Sequence, residues 1–160
     1  MRSLIADLEL REPARFALDR IPTPAATEAL VEAAQNAIGS RFRAGVMNAL
    51  GQRQGKGVLE ALVEGTKDPN MIVRLAAAEA LAEQADPACD PVIVAILEDK
   101  TMPVDERGRA RIMKGRIRLV GNLIRENKKV EAKKICQSIL AAGPAPAQAK
   151  AAQARLDEIG

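Results

Sequence analysis

The chain has no histidine, no tryptophan and no tyrosine, and only two phenylalanines and two cysteines in 160 residues. Without histidine it lacks the commonest general acid–base and the commonest metal ligand. A hydrolytic triad cannot be assembled in its usual form. Cys89 and Cys136 lie far apart, outside any paired-cysteine motif. Two thiols with no imidazole fall short of the four ligands of a structural zinc, so both are expected as buried, inert thiols. The segment Gly51-Gln52-Arg53-Gln54-Gly55-Lys56 has neither the spacing of a phosphate-cradling loop nor a hydroxyl residue after its lysine. No run approaches the ~20 apolar residues that cross a bilayer. Asp7 comes too early for a secretory signal. These absences predict no catalytic residue, no cofactor, no metal, no membrane partner and a cytoplasmic location.

What is there is small and aliphatic. Hydrophobic residues make up 48% of the chain, and with so few aromatics the core has to be built from Leu, Ile, Val, Ala and Met. Such a core suits closely packed helices and suits a β-sandwich poorly, because strands favour aromatic and β-branched residues. The net charge of +3 is unevenly spread. Residues 1–100 carry 11 basic and 15 acidic side chains, whereas residues 101–160 carry 13 basic and 6 acidic ones.

The pentapeptide Glu-Ala-Leu-Val-Glu occurs at residues 28–32 and again at residues 60–64, an offset of 32. Ala17-Leu18, Ala49-Leu50 and Ala80-Leu81 echo one another at offsets of 32 and 31, and an arginine (Arg11, Arg43, Arg74) stands seven residues before each leucine. A period of this length in an Ala/Leu-rich chain marks stacked helical pairs. Inner helices are expected over residues 11–18, 41–52 and 71–83, and outer ones over residues 24–37, 56–66 and 92–97. Thr23 is placed to cap the second helix with Pro24 in its first turn, and Asp68 and Pro69 to open the fifth. Beyond Pro103 the pattern changes. A longer helix over residues 104–126 is expected to bury Met113, Ile117, Val120 and Ile124. It is followed by helices over residues 128–142, with Val130, Ile135, Ile139 and Leu140 inward, and over residues 147–159. The fold class is therefore all-α, a right-handed solenoid of about three helical pairs with divergent ends. Residues 1–160 form one domain, with regular repeats over 11–100 and basic, divergent helices over 101–160.

The stretch Asp68-Pro69-Asn70-Met71-Ile72-Val73-Arg74-Leu75-Ala76-Ala77-Ala78-Glu79-Ala80-Leu81 resembles the inner-helix signature of HEAT repeats, and most of all the short, alanine-rich bacterial subclass named after phycobilisome lyases. The resemblance covers about residues 11–100. The hairpin from Asn127 looks more like a tetratricopeptide-type pair. The resemblance implies that an acid in the inter-helix turn pairs with an arginine on the following helix, and Asp68 and Arg74 have that spacing. Ile5 and Ala37 stand where the acids for Arg11 and Arg43 belong, so the ladder is interrupted there. The scaffold hosts adaptors, enzymes and nucleic-acid binders alike. HEAT-like DNA glycosylases need aromatic walls, for which this chain has no Trp or Tyr.

Two constellations are candidates for partner binding. On the inner helices, Arg15, Arg41, Arg43 and Arg74 could line a concave groove, unless they bond to carbonyls and acids at the helix turns. On the long basic helix, Arg107, Arg111, Lys114 and Arg118 follow i, i+4, i+7, i+11 spacing and so form one stripe. That stripe could meet an acidic protein or track phosphates, or simply be a solvated face. Nucleic acid is disfavoured for want of stacking platforms, since Phe16 and Phe42 sit at positions that look like core. Phe42 and Met47 are alternatively candidates for an exposed self-association surface. The paired carboxylates Glu28/Glu32, Glu60/Glu64 and Asp86/Asp90 read as solvated. The expected function is non-catalytic protein binding, with nucleic-acid binding through the basic stripe as the alternative.

Overall fold

The computed structural model describes residues 7, 9–36 and 38–160. Ile5 and Ala37 lie outside this set. The described residues contain nine α-helices and no strand: α1 (Arg11–Arg20), α2 (Pro24–Asn36), α3 (Ser40–Gly51), α4 (Val58–Gly65), α5 (Met71–Leu81), α6 (Cys89–Glu98), α7 (Glu106–Arg125), α8 (Lys129–Ala141) and α9 (Pro146–Ile159). No helix among them is long and apolar enough to cross a membrane. The chain divides into two compact units, Met1–Ala80 and Leu81–Gly160, with the border at the end of α5.

Local signals set most boundaries. The Thr23 hydroxyl accepts from the Ala26 amide at 3.3 Å, ahead of Pro24 as the first residue of α2. Before α5 the roles differ from expectation. Asn70 is the cap, its side-chain oxygen taking the Ile72 amide at 3.0 Å. Asp68 instead accepts from the Asn70 amide at 2.8 Å. Asp105 caps α7 through the Gly108 amide at 2.7 Å. At its far end α7 is closed by Asn127 in the left-handed region (φ 59). The Lys128 amide donates to the Leu123 carbonyl at 2.8 Å and the Asn127 amide to that of Ile124 at 3.0 Å, the two bonds of a Schellman motif.

In the first unit, α1 packs on α2 and α3, and α2 also packs on α3 and α4. Each helix thus touches the next and the next but one, the connectivity of stacked pairs. The repeated leucines Leu18 and Leu50 are buried, as are Leu30 and Leu62 of the intervening helices. Small residues let the axes approach closely: a Cβ on Gly51 would stand 3.0 Å from the Cα of Ala80. In the second unit α7 packs on α6, α8 and α9, and α9 on α8. The buried face of α7 carries Ile112, Leu119, Val120 and Leu123, while Met113, Ile117 and Ile124 are only half-buried. In α8, Ala132, Ile135, Cys136 and Ile139 are inward, and Val130 is exposed instead of buried.

The two aromatics part company. Phe42 is 1% exposed and Met47 is equally buried, so neither offers a self-association surface. Phe16 is 58% exposed, not core, with the Arg15 guanidinium 4.3 Å above its ring. Phe16 stands two residues before Leu18, which turns it about 200° away from the buried face of α1.

Helix ends in this chain are finished by side chains from the neighbouring repeat. A helix leaves its last four carbonyls without an intrahelical donor. At the end of α1, Arg53 reaches back from beyond α3. It donates to the carbonyls of Leu18 (2.6 Å), Asp19 (2.8 Å) and Ile21 (2.8 Å), and is itself buried. After α5 the same task falls to two residues. Asn122 donates to Ala82 O at 2.9 Å, and Lys128 to Ala85 O at 2.7 Å. Ala85 sits in the left-handed region (φ 52). Arg11 and Arg43 act at the other end of their helices, each reaching forward to the turn before the next helix of its class. Arg11 meets the Ile38 carbonyl at 2.6 Å, and Arg43 meets the Asp68 carboxylate at 2.7 Å. The arginine ladder therefore runs forward along the repeat, and an acid six residues upstream is not needed.

Both cysteines are buried free thiols. Burial, reinforced by the nearby Asp86 and Asp90 carboxylates, pushes the Cys89 thiol from 9.0 up to about 12. Burial also raises Cys136, opposed by Arg155. At pH 8 the Cys89 thiolate fraction is about 10⁻⁴, so the native protein should leave it unmodified by a disulfide reagent until it unfolds. Because the folded-state value is raised, this thiol contributes no instability below 9.0. Stability falls as pH rises from 9.0 towards about 12, which urea titrations across that range would register. Arg53→Met removes three hydrogen bonds from the carbonyls that close α1 and should lower unfolding stability by about 3 kcal/mol. The exposed Arg41→Met should stay within about 0.5 kcal/mol in the same urea titration.

Candidate binding surface

The inner-helix arginines are largely engaged inside the first unit. Arg15 is half-buried. It pairs with Glu12 at 3.0 Å and lies across Gly45 of α3, whose carbonyl accepts from it at 3.4 Å. Arg43 is held by Asp68, and Arg74 is buried. Arg41 alone of the four is exposed. The structure therefore places these residues at helix turns and inter-helix contacts and does not gather them into a common groove.

The basic stripe of α7 is gathered. Arg107, Arg111, Lys114 and Arg118 are all exposed. At 100° per residue their directions fall within about 40° of one line. Arg118 is anchored by Glu83 at 2.6 Å yet keeps 42% of its side chain in solvent. Glu83 in turn lies 3.5 Å from the Asn122 side chain, which also bonds Arg125. Arg109 is exposed as well.

Arg116, the remaining cation of this run, points the other way and is 2% exposed. Its position falls about 180° from Arg107 and on the same side as Ile112, Leu119 and Leu123, so the helical wheel alone places it inward. Its guanidinium forks onto Asp90 of α6, with Nε to Oδ1 at 2.7 Å and Nη2 to Oδ2 at 3.0 Å. Nη2 also donates to the Ser138 hydroxyl of α8 at 2.9 Å. Asp90 is accordingly not one of a solvated pair of carboxylates. It is the buried acid that holds Arg116, whose guanidinium joins three helices, and it is placed in the first turn of α6, where the helix dipole favours negative charge. Planar, bidentate pairing of this kind needs an arginine.

The structure thus sorts one run of cations into a solvent-facing stripe and an internal tie. Among the described residues no group of three or more potential metal ligands comes together. What the stripe offers chemically is a line of positive charge on a rigid helix. Removing one partner of a buried ion pair typically costs about 3–5 kcal/mol. Arg116→Met should therefore destabilise the protein by that order in urea unfolding. Arg109→Met, on the surface, should be near neutral, within about 0.5 kcal/mol.

Comparison with known proteins bears on the fold. No curated protein sequence matches the chain. Among solved structures it is similar to a chain of the complex of CpcE and CpcF of phycocyanin lyase from Nostoc sp. PCC7120, with 20% sequence identity and a TM-score of 0.68. The likeness covers 98% of this chain and 64% of that one, so this chain spans somewhat less than two thirds of its neighbour's length. At that identity the likeness is one of fold, and it is the fold that the resemblance in sequence implies. The family profile for HEAT repeats matches residues 5–82 and, overlapping them, residues 41–110. With paired helices, a period of 32 residues and most of its length matched, the chain belongs to the HEAT-repeat family.

Proposed function

We propose that this protein is a non-catalytic scaffold that binds another protein through the basic face of α7. The observation that carries this reading is the sorting of the arginines. Of the inner-helix arginines that pointed to a groove, Arg15 and Arg43 are taken up by acids and a carbonyl and Arg74 is buried, which leaves Arg41 alone exposed. The α7 stripe stays in solvent on a helix fixed from behind by the Arg116–Asp90 pair. HEAT repeats are scaffolds that present long helical surfaces, and the solved neighbour was itself seen in a complex of two proteins. A line of exposed cations steers an acidic partner and sets its orientation more than it adds raw affinity.

Binding to nucleic acid through the same stripe is the competing reading. Single-strand binders add aromatic platforms beside their cations. The one exposed aromatic, Phe16, is covered on one side by Arg15.

Affinity capture from native lysate at about 150 mM salt, where the screening length is ~8 Å, separates the two. A discrete protein should be retained after nuclease treatment and lost with the double reversal Arg107→Glu, Lys114→Glu. Recovery that vanishes with nuclease would replace this reading with the nucleic-acid one.

A further inference from the structure

The basic stripe does not end with α7's first four cations. Continuing the same spacing, the next position is Gly121, and the one after it is Arg125, which is exposed. Gly121 has no side chain to contribute, yet the line is not interrupted there. A Cβ at Gly121 would stand 3.4 Å from Cζ and 3.4 Å from Nη2 of Arg155, so the guanidinium of an α9 residue lies in the place of the missing side chain. The Gln148 side chain donates to Ala110 O at 3.3 Å. With Arg155 at Gly121, this contact shows that α9 runs alongside α7 in the same direction. Arg107, Arg111, Lys114, Arg118, Arg155 and Arg125 therefore form one ridge drawn from two helices, about 27 Å long.

We infer that this ridge is a docking site for an acidic amphipathic helix, and specifically for one whose carboxylates recur at i, i+4, i+7 and i+11. This rests on the reading of α7's basic face as the partner surface and names the partner's chemistry. Three observations support it. The ridge is one side chain wide and follows helical spacing, so a second helix with the same spacing of opposite charge meets it cation by cation. Beside it, about 100° round α7, run the half-buried Met113, Ile117 and Ile124. They give an apolar flank that an amphipathic helix can cover and a phosphodiester chain cannot use. Finally, two ridge cations already accept carboxylates within the chain: Arg118 takes Glu83 at 2.6 Å and Arg155 takes Glu158 at 2.8 Å. Exposed pairs of this kind contribute only about 0–1 kcal/mol, so a partner's carboxylates exchange with them readily.

The test uses the full chain and three labelled probes in fluorescence anisotropy at about 150 mM salt. The first is a helical peptide of about 21 residues with glutamates at the stated spacing beside a leucine stripe. The second is a scrambled peptide of identical composition, and the third an oligothymidylate of about 20 nucleotides. The patterned peptide should bind about tenfold more tightly than its scrambled isomer. Arg155→Gln should weaken it about threefold, while Lys129→Gln, on α8, leaves it unchanged. Gly121→Gln, which displaces the guanidinium without removing its charge, should weaken it similarly. Equal binding of the two peptides, or tighter binding of the oligothymidylate, overturns the inference. Indifference to both Arg155→Gln and Gly121→Gln overturns the two-helix ridge. If the patterned peptide fails while a nuclease-resistant partner is still lost on reversal of Arg107 and Lys114, the protein-binding reading stands and only the acidic-helix partner falls.

Discussion

Short helices pose one problem over and over: four N–H groups at the start and four carbonyls at the end with no partner inside the helix. With helices of 8 to 14 residues (α7 apart) these end groups are a large share of the backbone, and several of them are not met within their own turn. The solution is to borrow donors from the next repeat. Arg53 supplies three hydrogen bonds to the end of α1, and Asn122 and Lys128 supply the ones beyond α5. At the opposite ends Arg11 and Arg43 reach forward to the following turn. Pinned in this way, parallel neighbours cannot slide past one another, and the apolar layer between them needs only alanine, leucine and an occasional glycine. The scarcity of aromatics follows from this arrangement, because specificity of register comes from polar contacts at the helix ends.

Much of the architecture was legible in the sequence. The 32-residue echo located the pairs, Thr23-Pro24 located the start of α2, and the repeated leucines proved to be core. The errors came from reading side chains by type and short-range spacing. Phe16 was assigned to the core because it is aromatic, although its place two residues from Leu18 turns it outward. Asp68 reads as the cap of α5, yet the cap is Asn70, and Asp68 holds Arg43 from 25 residues earlier. Arg116 could have been found on the helical wheel, where it stands among Ile112, Leu119 and Leu123. Its partner Asp90 could not, since nothing local marks an acid in a Pro-rich turn as buried. Arg53 left no periodic trace at all, because a residue that caps another helix obeys the geometry of that helix and not of its own segment.

The same contrast explains the candidate surface. Long cationic side chains can be recruited inward wherever carbonyls or an acid wait, and in the first unit most of them are. In α7 a single arginine is drawn in and the rest remain outside. The excess of positive charge over residues 101–160 is therefore largely a property of one helix face and of the α9 arginine that completes it. Arginine laid across a neighbour's glycine occurs three times, as Arg11 over Gly39, Arg15 over Gly45 and Arg155 over Gly121. Arg11 gives its charge to the Ile38 carbonyl and Arg15 to Glu12 and a carbonyl, whereas Arg155 pairs with the exposed Glu158.

Arg53 has one more consequence, for the order in which the chain can be assembled. The end of α1 is complete only when a residue 32 to 35 positions further along has been added. Domains are built from the N-terminus as they leave the ribosome, so the first helical pair emerges with its carbonyls still bound to water. It locks only when the second pair arrives. Synthesis thus runs ahead of closure at the first pair, which the second pair finishes.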